Sequence, residues 1–383
     1  MRIIINEIKK IFSFKMICLL ILGSTIIYKM FISFDIDYFP NGRPTLDEYN
    51  IMVQMIKDYG HEMNETELKH LKNIYKEKLI EADEFLSNNK NFNEVGIYSY
   101  EDYENANEKS SFKEENQKLN DIKWDYLGRE EGTIFWELQT FPNLISLYEG
   151  RNNYYSENLN ENQEKRINKI IENKENESIL PWVVFDNYND LIRFSAACIV
   201  IGITFMLTPL FLRDKKDKVE YLQYSSKHGR KLFKSKLIAG LISALIITSI
   251  EIIICFILYR GNNTSMFFES NINSIFNDRF WFNITFIQYI ILTVISIYII
   301  SIIVAFISMF ISSKVNSYIA AIGVQVPTLF ATCGLTAGVL VNNLFILYIP
   351  KYLALSIYLA LIIITVTITL LSIRKVKVMD INN

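Results

Sequence analysis

Cysteine and histidine are scarce in this chain of 383 residues, and where they fall matters more than how many there are. The four cysteines, Cys18, Cys198, Cys255 and Cys333, all lie in strongly apolar runs. The long polar stretch between the first two runs therefore has no thiol from which to build a disulfide, and must hold together by its own core. Of the three histidines, His61 opens the string His61-Glu62-Met63-Asn64-Glu65, which lacks the second histidine of an H-E-x-x-H zinc site. His61 and His70 read as surface residues. The glycines never fall into G-x-x-x-x-G-K-[ST], the backbone cradle and lysine that hold nucleotide phosphates, so no nucleotide site of that kind is encoded. Carboxylates outside the apolar runs are plentiful, but their spacing favours no pair for acid–base work. Neither catalysis nor a metal or cofactor on this chain is expected.

What the chain has is hydrophobic length. A hydrocarbon core of about 30 Å needs about 20 mainly apolar residues in a helix, and six runs qualify: 16–33, 191–212, 237–259, 282–311, 318–341 and 352–373. The first lacks a small-residue cleavage site and continues into Tyr28, Lys29, Met30 and Phe31, so it reads as an uncleaved span. The expected fold is mainly α, a six-helix membrane bundle. Basic residues crowd the N-terminal 1–15 segment, the 213–236 connection and the 374–383 tail, which predicts both termini and that connection on the cytoplasmic side.

The same rule places 34–190 outside, about the size of one domain. It carries 33 acidic against 17 basic residues, whereas the remainder carries 8 against 22. A near-neutral total thus conceals a dipolar chain. An acidic exterior is the ordinary way to keep an exported domain soluble, and it also concentrates cationic ligands. Its fold is expected to be mostly helical, α or α+β. Asn64 with Glu67 makes a helix-capping pair ahead of Leu68, Leu71, Tyr75, Leu79, Ala82 and Leu86, which step along one face. A second helix is expected near 160–176. The polar stretches 87–93 and 101–118 read as loops, and 123–148, rich in large apolar residues, as core that is partly strand. Trp182, Phe185 and Tyr188 before the second run, and Phe280, Trp281 and Phe282 before the fourth, fit an interfacial aromatic belt. Lys29 and Arg193 fit snorkelling cations.

Energy coupling narrows the function. Glu251 is the one carboxylate well inside a run, about 21 Å along its helix from Leu237 and so nearer the outer leaflet, which is thin support for an ion-driven pump. In the fifth run Gln325, Pro327 and Thr328 combine a kink with polar groups and, with Glu251, are the candidates to line a pathway. The charged connection offers another entry for energy. Val219 and Leu222 share a helical face beside Tyr221 and Tyr224, with Lys215, Lys216, Lys218 and Glu220 around the rest, the pattern of a short amphipathic helix that fits a partner's groove.

The order of parts resembles the permease subunits of ABC exporters of the ABC-2 type. There is a basic amphipathic N-terminal segment like the family's elbow helix, one span, an exterior domain and five more spans. Within the connection, Glu220-Tyr221-Leu222, Ser225-Ser226, Arg230 and Ser235-Lys236-Leu237 resemble the family's coupling-helix stretch, although the proline that often follows the small pair is absent. The resemblance implies two permease copies or paralogues, embedded in membrane lipids, driven by separate ATPase subunits that bind the ATP. By position it assigns ATPase contact to Glu220, Leu222, Tyr224, Ser225 and Arg230. A bacterial plasma membrane is expected, with no nucleic acid among the partners. The alternative is a membrane-anchored receptor or immunity protein whose acidic exterior binds a cationic ligand. A secondary transporter ranks third.

Overall fold

A computed structural model describes residues 1–110, 117–153, 159–219, 229 and 231–378, with the side chains of 107–110 and 377–378 left out. Among these the only strand-like features are two isolated bridges; everything else regular is helical. The chain divides into two units. One comprises Met1–Phe39, Asp186–Asn263 and Ile287–Asn383, and the other Pro40–Phe185 and Thr264–Phe286.

The first unit holds all but the first residues of the second and fourth of six helices long and apolar enough to cross a membrane: Phe14–Asp37, Trp182–Lys216, Lys231–Asn262, Phe286–Lys314, Tyr318–Leu340 and Leu353–Val376. The chain is a multi-pass membrane protein. Enclosure is uneven. The most apolar window of the second span is 78% buried and that of the first only 6%, so the second span is the one the others surround. Its small hydroxyls supply contacts that lipid cannot. Tyr188 Oη lies 2.6 Å from Thr293 Oγ1 on the fourth span, and Thr208 donates to Gln325 Oε1 on the fifth at 2.5 Å. The third and fourth spans are joined likewise by Thr248 to Ser301 at 2.8 Å and by Ser249 with Tyr298 at 2.8 Å. Before the first span, the Arg2–Ile11 helix turns its apolar side inward, burying Ile11 while Lys9 and Lys10 face out.

The second unit has two cores strung along one helix, Glu65–Asn88. Asn64 caps it: its side chain accepts from the amides of Thr66 and Glu67, while Glu67 accepts from the Asn64 amide. The first half of the helix buries Leu68 and Leu71 against Met52, Met55, Leu144 and Tyr148, and Ile275 and Phe276 complete that core from the 264–286 connection. The second half buries Ala82 and Leu86 in an aromatic cluster of Phe92, Tyr103, Tyr126 and Phe135. There Tyr103 stacks on Phe135 with centroids 4.7 Å apart. Gly132 turns the chain into the Thr133–Glu149 helix, and a Cβ there would sit 2.1 Å from the Tyr126 carbonyl oxygen, so only glycine fits.

Four expectations are corrected. Residues 101–110 are not loop but belong to the Tyr100–Ser110 helix. Asp102 accepts from the Ser99 amide while Ser99 Oγ accepts from the Asp102 amide, a reciprocal cap, and Tyr100 and Tyr103, one turn apart, drive that helix into the aromatic core. Likewise, 90–93 form a helical turn capped by Asn89. The 123–148 region is core without any strand, because its apolar residues recur at helical spacing: Ile134, Phe135, Leu138, Phe141, Leu144, Ile145 and Tyr148 share one buried face. Finally, most of the aromatics assigned to a lipid belt are spent on protein contacts. Phe185 and Phe280 are fully enclosed with centroids 5.0 Å apart, Tyr188 is enclosed within the bundle, and Trp182 is the one substantially exposed, at 44%.

Candidate functional site

The residues assigned to ATPase contact, Glu220, Leu222, Tyr224, Ser225 and Arg230, lie outside the described residues. Their anchorage within the bundle is described. The second span breaks after Leu207 and resumes at Pro209, which has no amide proton to give. Ser312 at the end of the fourth span mends the break, donating to the Thr208 carbonyl at 2.7 Å and accepting from the Phe211 amide at 3.1 Å. One turn on, the Lys215 ammonium donates to the carbonyls of Ser313 and Val315 at 2.6 and 3.1 Å. A cation is thus fixed on the last carbonyls of the fourth span, where the helix dipole favours it.

The two ends of the connection are then tied to each other. Asp214, at the close of the second span, forms an ion pair with Lys236, in the second turn of the third-span helix. Both are buried, at 9% and 3% exposure, so this pair is little screened by solvent. Lys236 also lies over the Phe211 ring, 5.3 Å from its centroid. The end of the second span is thus tied to the third span through Asp214 and to the fourth through Lys215.

Beside this anchorage the Arg2–Ile11 helix packs on the third-span helix and on Pro209–Lys216. Its buried Glu7 is neutralised by Lys10 at 2.7 Å. Between that helix and the span ends opens a cleft of about 770 Å³, whose lining includes the cations Lys15, Arg213 and Lys216 and the apolar Phe14, Met206 and Leu210.

The pathway candidates do not form one site. Gln325 and Thr328 line a small cavity of about 10 Å³ with Thr204, Ser308 and Thr332. Gln325 Nε2 is buried there without a hydrogen-bond partner, and the space is about what a single water needs. Pro327 is exposed, and Thr328 donates to the Val324 carbonyl at 2.8 Å within its own helix. Glu251 is elsewhere, accepting from Ser24 Oγ of the first span at 2.7 Å and from Cys198 Sγ of the second at 4.0 Å. That geometry makes Glu251 a tie between three spans. Among the described residues no three of His, Cys, Asp and Glu are grouped to hold a metal ion.

Sequence reasoning missed the polar lock of the second unit. Glu175, with a side chain 1% exposed, takes both Arg166 guanidinium nitrogens, at 3.0 and 2.5 Å, and a third bond from Asn273 Nδ2 at 2.9 Å. Arg166 Nε reaches on to the Phe280 carbonyl at 3.0 Å. The charge is thus buried with its bonds made, and it fastens the 264–286 connection to the remainder of the unit. Compared with family models, with curated proteins and with solved structures, the chain gives no match.

Proposed function

We propose that this chain is the membrane-spanning permease of an ATP-driven exporter of ABC-2 type, powered by a separate ATPase subunit that engages the 213–236 connection from the cytoplasm. The observation that carries this reading is the anchorage of that connection. Its ends are clamped by the buried Asp214–Lys236 pair, Lys215 ties it to the fourth span, and a basic amphipathic helix is seated alongside.

ATP is held and hydrolysed on the partner, and this chain's residues convert partner movement into span movement. Glu220, Leu222, Tyr224, Ser225 and Arg230 form the contact. A push on it reaches the second and third spans through Asp214 and Lys236, and reaches the fourth through Lys215. The second span is the most enclosed and carries a proline break at Pro209, before the connection, so it is the element whose tilt most alters packing of the rest. The acidic 34–190 segment and the 264–286 connection face the exterior of a bacterial cell membrane, and the termini face inward. The receptor alternative draws on the acidic segment alone, and six spans exceed what an anchor needs.

The test is recovery of the partner. Intact protein purified from its host membrane brings down a P-loop ATPase, and the E220Q/L222A double variant inserts normally but loses it. Recovery of no such ATPase with the wild type, or undiminished recovery with the variant, refutes the reading.

A further inference from the structure

We infer that the cleft beside the Arg2–Ile11 helix holds the headgroup of one anionic phospholipid, with Lys15, Arg213 and Lys216 as its cationic ligands. The charge balance of the lining points there. Of its carboxylates, Glu7 is occupied by Lys10 and Asp214 by Lys236. Lys15, Arg213 and Lys216 have no carboxylate partner among the described residues, and only the exposed Asp217 offsets them. Lys216 is also held over the Tyr318 ring, 5.6 Å from its centroid, which orients it without neutralising it.

The lining is also partly apolar. Phe14, 81% exposed, stands with Met206 and Leu210 where an acyl chain leaves the headgroup. Depth agrees with this assignment, since the lining comes from span termini. Phe14 opens the first span, Arg213 and Lys216 close the second, and Tyr318 opens the fifth, so the cleft lies at the membrane–water boundary whatever the orientation. A volume of about 770 Å³ accommodates a glycerophosphate headgroup and the first methylenes of its chains. Positive-inside bias alone scatters cations over the surface, whereas here three line one cleft together with apolar side chains. The inference stands apart from the ATPase reading.

Native mass spectrometry of the full-length protein in neutral detergent tests it, titrating phosphatidylglycerol against phosphatidylcholine of the same chains. The wild type retains one phosphatidylglycerol with at least tenfold preference, and K15Q/R213Q/K216Q loses that preference. A control pair at the C-terminal end of the sixth span and outside the cleft lining, R374Q/K375Q, keeps it. The single variant R213Q, at an exposed residue outside any ion pair among the described residues, gives an intermediate preference that falls with added salt. Equal binding of both lipids by the wild type, or equal loss in the control pair, overturns the site. Displacement of the lipid by millimolar inorganic phosphate overturns the assignment to a lipid in favour of the free anion.

Discussion

At the residue scale, two buried ion pairs hold the places where distant parts of the chain must stay together. Asp214–Lys236 closes a loop of the membrane unit, and Arg166–Glu175 fastens a connection of the other. Their energetics are asymmetric. The pair as a whole stabilises little beyond what apolar residues of equal volume would, but removal of one partner strands the other in a site without water. Glu175→Ala is therefore expected to destabilise the second unit by about 3–5 kcal/mol, seen as a lowered midpoint in thermal unfolding followed by tryptophan fluorescence. All four tryptophans, Trp124, Trp136, Trp182 and Trp281, belong to that unit. A midpoint within a degree of wild type would show that the pair contributes nothing. Sequence alone did not reveal this lock because Glu175 and Asn273 are 98 positions apart and neither stands in a local pattern. Asn64 and Glu67, by contrast, were legible because a capping box is complete within four residues.

At the scale of elements, legibility followed the range of the interactions that build each one. Length and hydropathy define the six spans from local sequence, so they were visible at once. The Glu65–Asn88 helix was visible from its cap and its periodic apolar face. The Tyr100–Ser110 helix was not, because its sequence is polar and, among the described side chains, two tyrosines of its first turn enter the core with Ala106 packed beside it. Its cap, Ser99-x-x-Asp102, was nevertheless present as a signal. Asn64→Ala removes the N-cap that starts the Glu65–Asn88 helix and is expected to cost about 1 kcal/mol. Hydrogen exchange at the amides of Thr66 and Glu67 should rise, with the Leu79–Leu86 half of the helix unchanged. Equal acceleration along the whole helix would mean that the cap acts globally and not on its own turn.

For the molecule as a whole, acid response separates two kinds of carboxyl in the second unit. Burial pushes Asp47, Glu48 and Asp278 above the ordinary carboxylate range, the first and last despite Arg43 and Arg279 beside them. Glu65 is held below that range by its bond from Arg151, and Asp102 by the backbone amide of Tyr98. The raised groups bind protons more tightly folded than unfolded, so they add stability as pH falls through their folded values. The lowered groups contribute above about pH 4 and lose that contribution as pH drops through theirs. Tryptophan-monitored melts should therefore peak in mild acid and then collapse, with D47N flattening the rise; a midpoint falling steadily from pH 7 would contradict this balance. The same unit is discontinuous along the chain, since Ile275 and Phe276 complete a core begun by Met52 and Met55. During synthesis that core has no lid until the ribosome has passed residue 286, by which time the second and third spans are already made. The first 146 residues of the unit must wait, half assembled, for the membrane part to be threaded, so biogenesis of the acidic domain is timed by insertion of the bundle.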